Sequence, residues 1–64
     1  MNTVYITSSG QARYIGLGDE GGWLWVRLFG RAVKFETRAD AREFILRNPV
    51  LAEDYEEGGL WVLG

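Results

Sequence analysis

Neither cysteine nor histidine occurs among the 64 residues, and these two absences exclude more chemistry than any motif in the chain supplies. Without cysteine there is no disulfide. Without either residue the usual ligand sets for zinc and copper are missing, so the staples common in small domains are out of reach. The histidine base and the cysteine nucleophile are excluded with them. Proline occurs once, at Pro49. No apolar run approaches the length that crosses a bilayer, and Met1–Thr7 has neither the basic start nor the long apolar stretch of a secretory signal. The expectation is therefore a soluble, cytosolic chain with no membrane partner.

Basic residues are also missing from one region. Residues 1–47 carry seven basic and five acidic groups, a balance of +2, whereas residues 48–64 carry Glu53, Asp54, Glu56 and Glu57 with no basic residue, a balance of −4; together these make the net charge of −2. Apolar residues are plentiful at 47%, enough for one core but not two, so a single domain spanning residues 1–64 is expected, of marginal stability as a monomer.

The local pattern predicts hairpins followed by a helix. Thr3–Thr7 is rich in β-branched and aromatic residues and runs into the turn residues Ser8-Ser9-Gly10, after which Gln11–Leu17 resumes a strand pattern. Gly18–Gly22 is a loop by composition. Trp23–Phe29 is the clearest strand, with Leu24, Val26 and Leu28 on one parity and Trp23, Trp25, Arg27 and Phe29 on the other. Gly30-Arg31 connects it to a half-exposed strand over Ala32–Glu36.

Thr37 is a suitable N-cap with Asp40 three residues on. Ala41, Phe44 and Ile45 form one apolar stripe, Glu43 and Arg47 an i,i+4 pair, and Asn48-Pro49 ends the helix. Residues 49–55 are compatible with a further short helix with Pro49 in its first position, or with none. Gly58-Gly59 breaks the chain before a last short strand over Leu60–Leu63. The predicted fold class is α+β: a small antiparallel sheet of four to five strands with one helix packed on one face, in the order ββββα with a possible closing β.

One helix covers one face of such a sheet. That leaves Tyr5, Tyr14, Trp23, Trp25 and Phe29 on the opposite parity of their strands, with only Tyr55 and Trp61 of the C-terminal segment available as cover. Three roles stay open for this aromatic set: ordinary core, under a folded-back tail or within a strongly twisted sheet that wraps around itself; the interface of a homodimer; or a surface for a protein partner.

Catalytic motifs are lacking, and no enzyme is expected. The acids sit in a loop, on a helix face and in the tail, with no pair evidently withdrawn from water. Gly16-Leu17-Gly18-Asp19-Glu20-Gly21 spells the G-x-G-x-x-G dinucleotide pattern, but between two strands, without a following helix, and with two carboxylates where a pyrophosphate would approach. Neither Asp19-Glu20 nor Glu53-Asp54-Tyr55-Glu56-Glu57 has calcium-loop spacing, so no metal or cofactor is expected. Aromatics with Arg13 and Arg27 nearby would suit a single-strand binding platform, against which the net negative charge argues. The tail acids, joined by Asp19 and Glu20, can be read either as a solubilising segment or as spaced negative charge resembling a phosphate backbone, suited to a nucleic-acid-binding protein.

In size, in acidity, and in the order of hairpins followed by the phrase Ala32-Val33-Lys34-Phe35-Glu36-Thr37-Arg38-Ala39-Asp40-Ala41-Arg42-Glu43-Phe44-Ile45, the chain resembles small phage-encoded anti-CRISPR proteins. That resemblance implies an inhibitor acting in the cytosol of a bacterial host. It would bind a CRISPR effector, commonly the multisubunit surveillance complex, and block target DNA by occupying a basic channel with carboxylates. On this expectation Asp19, Glu20, Glu53, Asp54, Glu56 and Glu57 imitate phosphates, Tyr55 adds contact area, and no nucleic acid is bound directly. The alternatives are an interaction or homodimerisation module using the aromatic face, and a single-stranded nucleic-acid binder.

Overall fold

The computed structural model describes residues 3–19 and 22–64. Four strands, β1 (Tyr5–Ser8), β2 (Tyr14–Leu17), β3 (Trp23–Val26) and β4 (Leu60–Leu63), form an antiparallel sheet in the order β3-β2-β1-β4. Two helices, α1 (Arg38–Leu46) and α2 (Pro49–Glu56), lie between β3 and β4 in the chain. The class is thus α+β with a small antiparallel sheet. The expected single helix is replaced by two, because Asn48-Pro49 restarts the chain: Pro49 sits at the first position of α2, where its missing N–H costs nothing.

Local signals account for both helices. The Thr37 hydroxyl accepts from the Asp40 N–H at 3.1 Å, capping α1, and Glu43 pairs with Arg47 on its exposed side. α2 ends in a Schellman motif. Gly58 takes φ +83°, its N–H reaches the Tyr55 carbonyl at 3.1 Å, and the Gly59 N–H reaches the Asp54 carbonyl at 2.8 Å.

Both helices cover the same sheet face. Opposed pairs such as Ile6–Val62, Ser8–Leu60, Ile15–Trp25 and Leu17–Trp23 share that face. Its core is Val4, Ile6, Ile15 and Leu60 against Ala41, Ile45 and Leu51, with Trp23, Trp25, Phe35, Phe44 and Tyr55 half-buried around it. The opposite face carries Tyr5, Thr7, Tyr14, Gly16, Leu24, Val26, Trp61 and Leu63.

Three sequence expectations need correction. The third strand ends at Val26 rather than Phe29, because Phe29–Arg31 forms a 3-10 turn. The fourth strand over Ala32–Glu36 does not form. Instead Val4 and Phe35 exchange backbone hydrogen bonds at 3.1 and 2.7 Å, and the Val33 N–H reaches the Ile15 carbonyl at 3.0 Å. This stretch bonds to Val4, just ahead of β1, and to β2, while β1 and β2 pair with each other at Thr7–Tyr14. The parity assignment of β3 is also inverted: the register that sets Ile15 beside Trp25 turns both tryptophans toward the helices, and Leu24 and Val26 away from them. Tyr55 belongs to the helix side as well, so Trp61 alone of the expected cover lies on the open face.

The turn after β3 crosses the open face at Gly16. A Cβ there would come within 2.9 Å of the Arg31 carbonyl oxygen and 3.0 Å of a Val26 methyl. Glycine is what permits the turn to lie so close to β2. Among the described residues, no helix is long and apolar enough to cross a membrane.

Candidate interaction surfaces

Two surfaces emerge from this architecture, one aromatic and one acidic. The aromatic surface is the sheet face away from the helices. At its centre Tyr5, Tyr14 and Phe29 form a triangle of edge-to-face contacts, with ring centroids 4.8 Å (Tyr5–Phe29), 5.6 Å (Tyr14–Phe29) and 5.9 Å (Tyr5–Tyr14) apart. The 3-10 turn brings Phe29 onto this cluster, and Lys34 holds the turn in place. Its ammonium lies 4.3 Å from the Phe29 ring centroid and donates to the Phe29 and Ala32 carbonyls at 2.8 Å each.

On one flank, Trp61 and Leu63 sit opposite Thr7 and Tyr5; on the other, Leu24 and Val26 sit opposite Gly16 and Tyr14. Neither helix reaches this face, and the result is exposure: Leu24 is 42% exposed, Phe29 45% and Trp61 40%. None of the sheet residues on this face is charged. Between these exposed side chains the face is more covered, with Tyr5 and Tyr14 half-buried and Thr7 and Gly16 buried.

The expected aromatic set is therefore divided. Tyr5, Tyr14 and Phe29 come together on the open face, while Trp23 and Trp25 stack edge to face on the helix side, 5.8 Å apart, with the Arg13 guanidinium 4.4 Å from the Trp25 ring centroid. Trp61, Leu24, Val26 and Leu63 join the open face instead. Sequence reasoning missed Leu24 and Val26 because both parities of Trp23–Phe29 are apolar. The signal that could have found them is Gly16, a strand glycine marking close approach of backbone on that face.

The acidic surface is smaller. Glu53, Glu56 and Glu57 are exposed and fall at i, i+3 and i+4 on or just beyond α2. Asp54 is half-buried, its carboxylate folded over Gly59, and Tyr55 packs against the core. Asp19 is exposed in the β2–β3 connection, which lies at the other end of the sheet. The α2–β4 connection neighbours the β1–β2 turn, as the Ser9 N–H to Gly59 carbonyl bond at 2.9 Å shows, and β2 runs away from that turn. Asp19 and the tail acids are thus not brought together, and Glu20 lies outside the described residues.

Two open clefts lie among the described residues. One, of about 450 Å³, has Phe35 and Phe44 beside Glu36, Asp40, Glu43 and Arg47; the other, of about 380 Å³, lies between Leu17–Asp19, Leu24, Val26 and Arg31. In the first, Arg47 is already bound to Glu43. Comparison with protein-family models, with curated proteins and with solved structures finds no match for this chain.

Proposed function

We propose that this chain is a non-catalytic binding domain whose working surface is the open aromatic sheet face. The observation that supports this reading is the pairing of an exposed Phe29 and Trp61 with a Tyr5–Tyr14–Phe29 cluster on a face without charged sheet residues. Rigid aromatics lose little side-chain freedom on binding and offer large contact area, so such a face favours a protein partner. A single-stranded nucleic acid is a poorer occupant: of the cations near this face among the described residues, Lys34 is engaged with the Phe29 ring and two backbone carbonyls, and exposed Arg31 beside Leu24 and Val26 offers a single charge to a phosphate backbone.

The anti-CRISPR resemblance gives this binding a purpose: inhibition of a CRISPR effector complex in the bacterial cytosol. A second reading keeps that target but moves the contact to α2, where Glu53, Glu56 and Glu57 offer carboxylates without a basic residue on the helix. On that reading the acids imitate phosphates in a DNA-binding channel, and Asp19 contributes nothing to the same contact.

Affinity capture from bacterial lysate expressing CRISPR effectors, quantified by mass spectrometry, tests both. Loss of effector capture in the Phe29→Ala, Trp61→Ala double variant, with capture retained by Glu53→Lys, Glu56→Lys, Glu57→Lys, is the expected outcome. The opposite pattern supports phosphate mimicry, and no effector captured by the unmodified chain refutes both.

A further inference from the structure

The two edges of the sheet are not alike. In β4 the hydrogen-bonding phase is set by the Ser9 N–H to Gly59 carbonyl bond at one end of the β1–β4 ladder. It leaves the backbone groups of Leu60 and Val62 pointing outward. That edge is guarded: Arg38 reaches across and donates to the Val62 carbonyl at 2.7 Å. In β3 the Gly18 N–H to Gly22 carbonyl bond at 2.6 Å sets the phase. Gly16–Leu24 and Tyr14–Val26 are then the bonded pairs, and the N–H and C=O of Trp23 and Trp25 point away from β2. The Ile15 carbonyl agrees, since it faces away from β3 to accept from Val33.

Nothing within β3 blunts this second edge. Trp23-Leu24-Trp25-Val26, though short, contains no charge and no proline, two of the devices that ordinarily stop an edge from pairing. Its four residues are apolar on both faces.

We propose that β3 is a pairing edge for a second copy of this chain, joined antiparallel about a two-fold axis at Leu24. In this register Trp23 faces Trp25 of the second copy and exchanges both backbone hydrogen bonds with it, and Leu24 faces the second copy's Leu24. Both outward tryptophan backbones are satisfied, like side chains meet like on each face, and two four-stranded sheets become one. The ends carry opposite charge: exposed Arg27 follows β3, and exposed Asp19 lies in the turn before it, so an antiparallel pair sets the basic end of one copy at the acidic end of the other. A second copy satisfies all of these conditions at once. The pairing uses the outward backbone of β3, although its axis residue Leu24 also lies on the flank of the open face. Self-association is read on the chain alone, so its outcome is separate from which surface binds the effector.

Sedimentation equilibrium of the full chain between roughly 10 µM and 1 mM is expected to show a monomer–dimer transition by mass action. Over the same range, amide exchange at Trp23 and Trp25 should slow by roughly tenfold or more. Like charges opposed at the axis should abolish the dimer in Leu24→Lys and in Leu24→Glu separately, and mixing the two should restore it as a heterodimer. Trp61→Lys, on the far flank of the open face, should leave it intact. A chain that stays monomeric throughout overturns the proposal. So does a dimer that Leu24→Lys leaves intact, one that Trp61→Lys destroys, or one in which the Trp23 and Trp25 amides exchange as fast at high concentration as at low. Should the Leu24 variants not fold, the exchange measurement on the unmodified chain decides alone.

Discussion

Replacing Gly16 with alanine tests the account of the open face in a single methyl group. Gly16 does not take a positive φ, so its backbone would accept alanine without strain. In an open site the substitution would stabilise the fold by about 0.4–1 kcal/mol through the unfolded chain. Here the new Cβ would lie 2.9 Å from the Arg31 carbonyl oxygen and 3.0 Å from Val26 Cγ1, inside ordinary contact distance on two sides. The oxygen is backbone, and its turn is held by Phe29 on Tyr5 and Tyr14 and by Lys34, so relief requires moving the turn as a unit. Overpacking of this kind costs about 1–3 kcal/mol. The net expectation is a loss of about 1–2 kcal/mol, or a fall in Tm of roughly 5–15 °C for a domain of this size. Thermal and urea unfolding followed by tryptophan fluorescence, at a concentration low enough to exclude association, measures it. Gly30→Ala is the control, since its Cβ would meet nothing within 4 Å. If Gly16→Ala is as stable as the parent or more so, the turn does not lie on β2 as described, and the reading of the open face fails with it.

Two further predictions concern the helix side. Thr37→Ala removes the cap from Asp40 and should cost about 1 kcal/mol in urea unfolding, with Thr37→Ser restoring most of it. Ile45→Ala opens a cavity beneath a fully buried side chain and should cost about 2–5 kcal/mol, visible as a large drop in Tm, whereas Val50→Ala, at an exposed site on α2, should move stability by less than about 0.5 kcal/mol.

The elements governed by neighbours in the chain were legible before the structure. Thr37, Asp40 and the Ala41–Phe44–Ile45 stripe announce α1 because a helix is built from contacts three and four residues apart. Gly58-Gly59 announces the stop before β4, and the turn residues after β1 mark the first hairpin. The stretch Ala32–Glu36 misled because alternating apolar and polar residues suit a strand, yet the Val33–Phe35 backbone finds its partners in the gap between β1 and β2. Of the candidate surfaces, Glu53, Glu56 and Glu57 were visible as charge in sequence, but that Asp19 stands apart from them depends on the direction in which β2 runs.

Composition alone determined that this protein has no disulfide, no thiol or imidazole chemistry and one region devoid of positive charge, since these depend only on which residues are present. The order of residues located the start of α1 at Thr37 and the break at Gly58-Gly59 before the last strand, but left open whether residues 49–55 are helical. Which aromatics are core and which are surface was decided by tertiary structure. Both parities of Trp23–Val26 are apolar, so nothing local distinguishes the two ways of laying that strand down. The pairing of Ile15 with Trp25 selects one of them, sends both tryptophans to the helices, and leaves Tyr5, Tyr14, Phe29 and Trp61 on the outside.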